Sequence, residues 1–136
     1  MQWMLARSHL LKVSEEDLAL LYPGRSLDAL AAASLENGVR LFVVTRGANG
    51  AVAWTRSGRV ETPGVPTKVV DTVGAGDSFQ AALLAWLDEH ELLGAEALTA
   101  IDDARVLEAL SFATLAAATT CSRAGADLPR RAELPR

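Results

Sequence analysis

Five consecutive residues, Leu41-Phe42-Val43-Val44-Thr45, constrain the fold more than any other stretch of the chain. They are large or β-branched, and no polar residue interrupts them before Thr45. A strand with one face in water alternates between apolar and polar residues. An unbroken apolar run is what a strand buried on both faces looks like. Such a strand needs a covering layer on each side of its sheet.

The flanking segments can supply those layers. Residues 8-SHLLKV-13 read as a short strand. Next, 14-SEEDLALLY-22 reads as a short helix, with Ser14 as N-cap and Glu15, Glu16 and Asp17 in the first turn, where the helix dipole favours them. Pro23 and Gly24 break it. A second helix is expected from Ser26 to about Asn37. Leu27, Leu30, Ala31, Ser34 and Leu35 follow its period, and Gly38 closes it. After the central run, 51-AVAWT-55 and 59-RVETP-63 read as a hairpin turning at Ser57-Gly58. Residues 67-TKVVD-71 read as a last short strand. A helix then carries Phe79, Ala82, Leu83, Trp86 and Leu87 on one face, and a final helix spans roughly Asp103 to Cys121. Strands alternating with helices predict an α/β fold with a mainly parallel sheet.

The 136 residues suit a single domain, 1–136, and half of them are hydrophobic, which excludes wholesale disorder. A net charge of −4 is no footprint for nucleic acid. No basic helix suggests a membrane surface, and the longest apolar run, 112-FATLAAATTC-121, is too short to span a bilayer. The N-terminus lacks the order of a signal peptide, because Arg7 sits inside its apolar part. A soluble cytoplasmic protein is expected, with neither nucleic acid nor membrane as partner. Cys121 is the single cysteine, so no disulfide framework or thiolate metal cluster is available, and it reads as a small buried hydrophobe. His9 and His90 stand alone, without metal-ligand spacing. Trp3, Trp54 and Trp86 read as packing residues.

The chemistry concentrates in 69-VVDTVGAGDSFQAALLAWL-87. A helix N-terminus offers unpaired N–H groups and the positive end of a dipole. Gly74 and Gly76 allow positive φ and close approach of an anion, so Gly74-Ala75-Gly76 reads as a phosphate nest. Asp77 has the wrong charge for a pure phosphate cradle. One reading makes it a general base that takes a proton from an attacking hydroxyl, while the Gly-Ala-Gly amides stabilise the transferring phosphoryl group. The other makes it a first-turn acid that only complements the helix dipole. No Lys-Ser/Thr follows the glycines, so this is not a Walker loop.

The string 71-DTVGAGDSFQAALL-84 resembles the C-terminal signature of the PfkB, or ribokinase-like, carbohydrate kinases. Other matches fall in the right order. The stretch 42-FVVTRGANGAVAW-54 resembles the family's strand ending in Thr-x-Gly before a hairpin. Segment 12-KVSEEDL-18 resembles the one that carries Asn-x-x-Glu in ribokinases and Lys-x-Ser-x-x-Glu in fructokinase-like members. The end of the chain, 112-FATLAAATTCSRAGADLP-129, resembles the closing Ala-rich helix and its Gly-Ala loop over the nucleotide. The resemblance runs from about residue 8 to 129.

It implies a ribokinase-like three-layer α/β/α sandwich and phosphorylation of a sugar hydroxyl by ATP with Mg²⁺, with fructose as leading substrate. By the same resemblance, Asp77 matches the catalytic base, and Gly74, Ala75 and Gly76 the anion hole. Thr45 and Gly47 match the Thr-x-Gly beside the nucleotide phosphates and ribose. Ala113, Ala117 and Cys121 fall where the adenine lies. Asp17 matches the Glu that organises Mg²⁺ through water, one methylene shorter here, and Ser14 stands where many members have Asn. Asp71, the Val73 carbonyl and carbonyls near Arg123 and Gly125 match a monovalent-cation site, with K⁺ as the candidate ion. Read as local structure alone, Thr45 ends a strand, and Ser14 and Asp17 are cap and first-turn residues.

Family members are much longer. The resemblance implies an N-terminal half with the first strands, the sugar-binding Asp and Asn, a Gly-Gly signature and a β-sheet lid. None of these signatures occurs among the 136 residues. The expectation is the C-terminal, nucleotide-binding part of the fold, with an incomplete sugar pocket and an exposed sheet edge. The alternatives are a nucleotide-binding or self-associating module, a homodimer for instance, without kinase activity of its own, and a non-functional remnant.

Overall fold

The run that reads as doubly buried lies inside the sheet. In a computed structural model that describes residues 7–135, strand β2 (Leu41–Thr45) has Leu41 to Val44 fully buried. It lies between β1 (Leu10–Ser14), parallel to it, and β3 (Ala51–Trp54), antiparallel to it. Strand β4 (Arg59–Thr62) completes the order β1-β2-β3-β4, antiparallel to β3. The sheet is therefore mixed, not mainly parallel. The helices between β1 and β2 allow a parallel crossover, whereas the tight connections from β2 to β3 and β3 to β4 force reversal. At the second of these, the Thr55 N–H reaches the Gly58 carbonyl at 2.9 Å.

Helices α1 (Glu15–Leu21) and α2 (Leu27–Glu36) cover one face. Their Leu18, Leu30 and Ala31 pack with Phe42, Val44, Val52 and Trp54. Phe42 and Trp54 are register partners with ring centroids 5.7 Å apart, and the Trp54 indole N–H donates to Asp28 Oδ1 at 2.9 Å. Helices α3 (Ala75–Glu89), α4 (Ala95–Ala100) and α5 (Asp103–Cys121) cover the other face. Phe79, Leu83, Leu87, Leu110 and Ala113 meet Leu41, Val43, Ala51 and Ala53 there. The alternation of β2 thus feeds two cores, and the three-layer architecture follows. Trp54 and Trp86 are packing residues, 7% and 6% exposed. Trp3 lies outside the described residues.

Two local readings change. Residues 67–71 form no strand. The N–H groups of Val70 and Asp71 both go to the Cys121 carbonyl, at 2.8 and 3.2 Å, so the end of α5 takes the bonds that a neighbouring strand would have taken. The short helix α4 escaped the sequence reading because one buried residue, Leu98, sets no period.

Candidate active site at the opening of helix α3

The site is built by the chain between residues 70 and 77. After the Cys121 carbonyl anchors Val70 and Asp71, the Asp71 side chain folds over the turn. Its Oδ1 accepts from the Val73 N–H and its Oδ2 from the Gly125 N–H, both at 3.0 Å. These two N–H donors, Val73 first, hold the Asp71 carboxyl below the usual carboxylate range. Asp71 thus clasps the turn to the loop that follows α5.

Gly74 then takes φ 80°, ψ −3°, the left-handed region, and becomes the N-cap of α3 without a side chain to fold back. A Cβ there would also lie 3.0 Å from the Ala126 Cβ, so the 122–127 loop rests directly on this turn. The Ala75 N–H reaches the Thr72 carbonyl at 3.2 Å, and the Ser78 N–H reaches the Gly74 carbonyl at 2.8 Å. Between them, the N–H groups of Gly76 and Asp77 have no acceptor among the described residues. Two free donors at the positive end of a four-turn helix are chemically suited to an anion. The Asp77 carboxylate is exposed there, with no hydrogen bond or ion pair among the described residues.

The other expected residues divide into groups. Ser14 is in register with Thr45, and its Oγ accepts from the Asp17 N–H at 3.0 Å. The Thr45 hydroxyl donates to the Val13 carbonyl at 3.4 Å. Gly47 opens an exposed 3₁₀ turn with φ 54°. This group meets the α3 mouth through Lys12, whose Nζ donates to the Gly76 carbonyl at 3.4 Å. On α5, Ala117 and Cys121 are half-buried, whereas Ala113 is 0% exposed and packed in the core against the sheet. Ala113 therefore offers no surface to a nucleotide in this structure.

The loop after α5 is held from outside. Arg123 meets Glu133 Oε1 at 2.6 Å and Asp127 Oδ2 at 3.6 Å, and the Glu133 partner strengthens its hold on the proton. Arg131 grips Glu89 through Nε and an NH₂ group, at 2.7 and 2.9 Å, and lies 4.9 Å over the Phe112 ring. The chain end is thereby strapped across α3 and α5. Ala126, Glu133 and Arg131 were not singled out from sequence, and Lys12 entered only as the first residue of the 12-KVSEEDL-18 segment, without a role of its own. For Lys12 a signal existed, since alternation along β1 puts it on the face of Leu10, toward α3. For the strap there was none.

No three Asp, Glu, His or Cys side chains group as a metal site among the described residues. That donor set fits Mg²⁺ only as this ion is commonly held, by one or two carboxylates, water and substrate phosphates. For a monovalent ion, each Asp71 oxygen already accepts one N–H, and the Gly125 carbonyl accepts from Asp127 at 2.9 Å. Every one of these oxygens keeps a lone pair, and the Val73 carbonyl accepts nothing among the described residues.

Comparison with known proteins gives this geometry a lineage. The chain is 42% identical over 100 residues to a fructokinase of Rhizobium leguminosarum bv. trifolii, covering 74% of this chain and 31% of that protein. It is 35% identical over 127 residues to a fructokinase of Solanum tuberosum, covering 90% and 38%. The chain spans about a third of the length of the relatives it matches. Its fold matches a Vibrio cholerae fructokinase solved with fructose, ADP and calcium, with a TM-score of 0.76 at 29% identity, over 96% of this chain and 41% of that one. It also matches a Thermotoga maritima ribokinase, with a TM-score of 0.78 at 27% identity, over 98% and 43%. The pattern of the pfkB family carbohydrate kinases covers residues 1–133, and the chain belongs to that family.

Proposed function

We propose that this chain carries the nucleotide-binding and base-supplying part of an ATP-dependent sugar kinase of the fructokinase type. The observation behind this reading is the α3 mouth, where free Gly76 and Asp77 N–H groups adjoin an unpaired Asp77 carboxylate. Asp77 takes the proton of a sugar hydroxyl. The hydroxyl oxygen forms a bond to the γ-phosphorus as the bond from that phosphorus to the β-phosphate oxygen breaks, and ADP leaves. Gly74, Ala75 and Gly76 shape the backbone that receives the phosphoryl charge. Thr45 and Gly47 border the nucleotide, with Ala117 and Cys121 toward the adenine. Asp17 would hold Mg²⁺ through water, and bound Mg²⁺ would neutralise phosphate charge. Asp71 with the Val73, Arg123 and Gly125 carbonyls would take a monovalent ion such as K⁺. The whole of 1–136 acts as one domain in this reading, with the cytoplasm as its expected location.

ADP release measured with ATP–Mg²⁺ against a panel of sugars tests the proposal, with fructose expected to give the highest rate. Turnover by Asp77→Asn equal to that of the original chain would refute Asp77 as base. A second reading keeps nucleotide binding without turnover. It is favoured by β1, which has no strand beside it on its outer side among the described residues, and a second copy of the chain could pair there. Heat of ATP–Mg²⁺ binding without ADP release, together with a dimer by light scattering, would select it.

A further inference from the structure

A carboxylate at the mouth of a phosphate site opposes the charge it must sit beside. The structure brings a cation to the same place from a strand remote in sequence. Lys12 lies on β1 in register with Val43, on the face that packs toward α3. Its ammonium reaches the Gly76 carbonyl at 3.4 Å, one residue before Asp77. A Cβ added to Gly76 would also lie 3.4 Å from this ammonium, which marks how closely Lys12 crosses the turn.

That carbonyl is a poor resting partner. It belongs to the first turn of α3 and already serves the helix ladder, and 3.4 Å is long for an ammonium donor. Lys12 forms no ion pair with a carboxylate among the described residues. A lysine on an edge strand can serve only to discourage strand pairing. Such a lysine points its charge away from the sheet edge into water, whereas Lys12 spans to the helix mouth.

Resting on the reading of this mouth as a phosphate site, we propose that Lys12 is a phosphate-binding residue of the kinase. Its ammonium leaves the Gly76 carbonyl for a terminal phosphate oxygen of ATP. It thereby offsets the Asp77 charge and shares the phosphoryl group with the Gly76 and Asp77 N–H groups.

Calorimetry on the chain with ATP–Mg²⁺, ADP and adenosine tests the proposal, with thermal unfolding as the control for folding. Lys12→Met is expected to weaken ATP about tenfold or more, ADP less, and adenosine less than about twofold. Lys12→Arg is expected to stay within about threefold of the original for ATP, because it keeps the charge. Should Lys12→Met fail to fold, Lys12→Gln supplies the same comparison. Equal loss for ATP and adenosine, or no loss for either, would overturn the role of Lys12 while leaving the nucleotide site standing. An original chain that binds adenosine, ADP and ATP alike with no heat would overturn the nucleotide reading and Lys12 with it.

Discussion

Helices α2 and α5 begin alike, and α3 begins differently. Ser26 Oγ accepts from the Ala29 N–H at 3.2 Å, and Asp102 Oδ1 accepts from the Arg105 N–H at 2.8 Å. Both caps sit in extended backbone and spend a side chain on the helix they open. Helix α3 is capped by Gly74 in the left-handed region with no side chain spent, so the N–H of Asp77, in the matching third position, has no acceptor among the described residues. The short α4 also lacks a side-chain cap, but its Gly94 keeps the ordinary extended conformation. At α2 and α5 a capping side chain takes the third N–H of the first turn. Helix α3 forgoes that cap and leaves the same donor open beside the Asp77 carboxylate.

The contrast can be broken or sharpened by measurement. The largest effect belongs to Asp77→Asn, expected to lower sugar-dependent ADP release about 10²- to 10⁴-fold while the unfolding midpoint stays put. A large shift in that midpoint would turn Asp77 into a structural residue. Gly74→Ala comes next, at a cost of about 1–3 kcal/mol in denaturant unfolding together with weakened ATP binding, because φ 80° is strained for alanine and its Cβ meets Ala126. Ser26→Ala should cost about 1 kcal/mol and leave ATP affinity unchanged. Were ATP affinity to fall with it, the division between supporting and functional helix starts would fail.

The smallest effect is acid release of the clasp. The folded pKa of Asp71 is lowered, so its contribution is fully present above the ordinary value of 3.8 and is lost as pH falls through the lowered folded value. Glu89 and Glu133 are lowered as well, by the Arg131 side chain and by the Arg130 N–H respectively, so acid weakens the strap in the same direction. The stability gap between the original chain and Asp71→Asn isolates the clasp. It should be steady at neutral pH and close as pH drops below 3.8. A gap indifferent to acid would mean that Asp71 contributes nothing as a carboxylate.

Much of this was legible beforehand. Leu41–Thr45 is a strand with those ends, and α5 runs from Asp103 to Cys121 as its period indicates. Phe79, Ala82, Leu83, Trp86 and Leu87 are all buried, as a helix face at that spacing requires. The glycine turn and Asp77 were readable because the turn and the helix it opens are one continuous stretch. Strand direction was less legible, since alternation says which face is buried and nothing about which way a neighbour runs.

The sequence by itself determined most of the elements, the Ser14 cap, the two-sided burial of β2 and the family signature. All of these rest on contacts within a few residues or on period along one element. Only the tertiary structure decided that 67–71 bonds to the end of α5, that Ala113 is spent on the core, and that Asp71 reaches Gly125, 54 residues away. It alone brought Lys12 to Gly76 across 64 residues. Such meetings depend on how layers stack and where loops close, and no local propensity encodes a distance between residues so far apart along the chain.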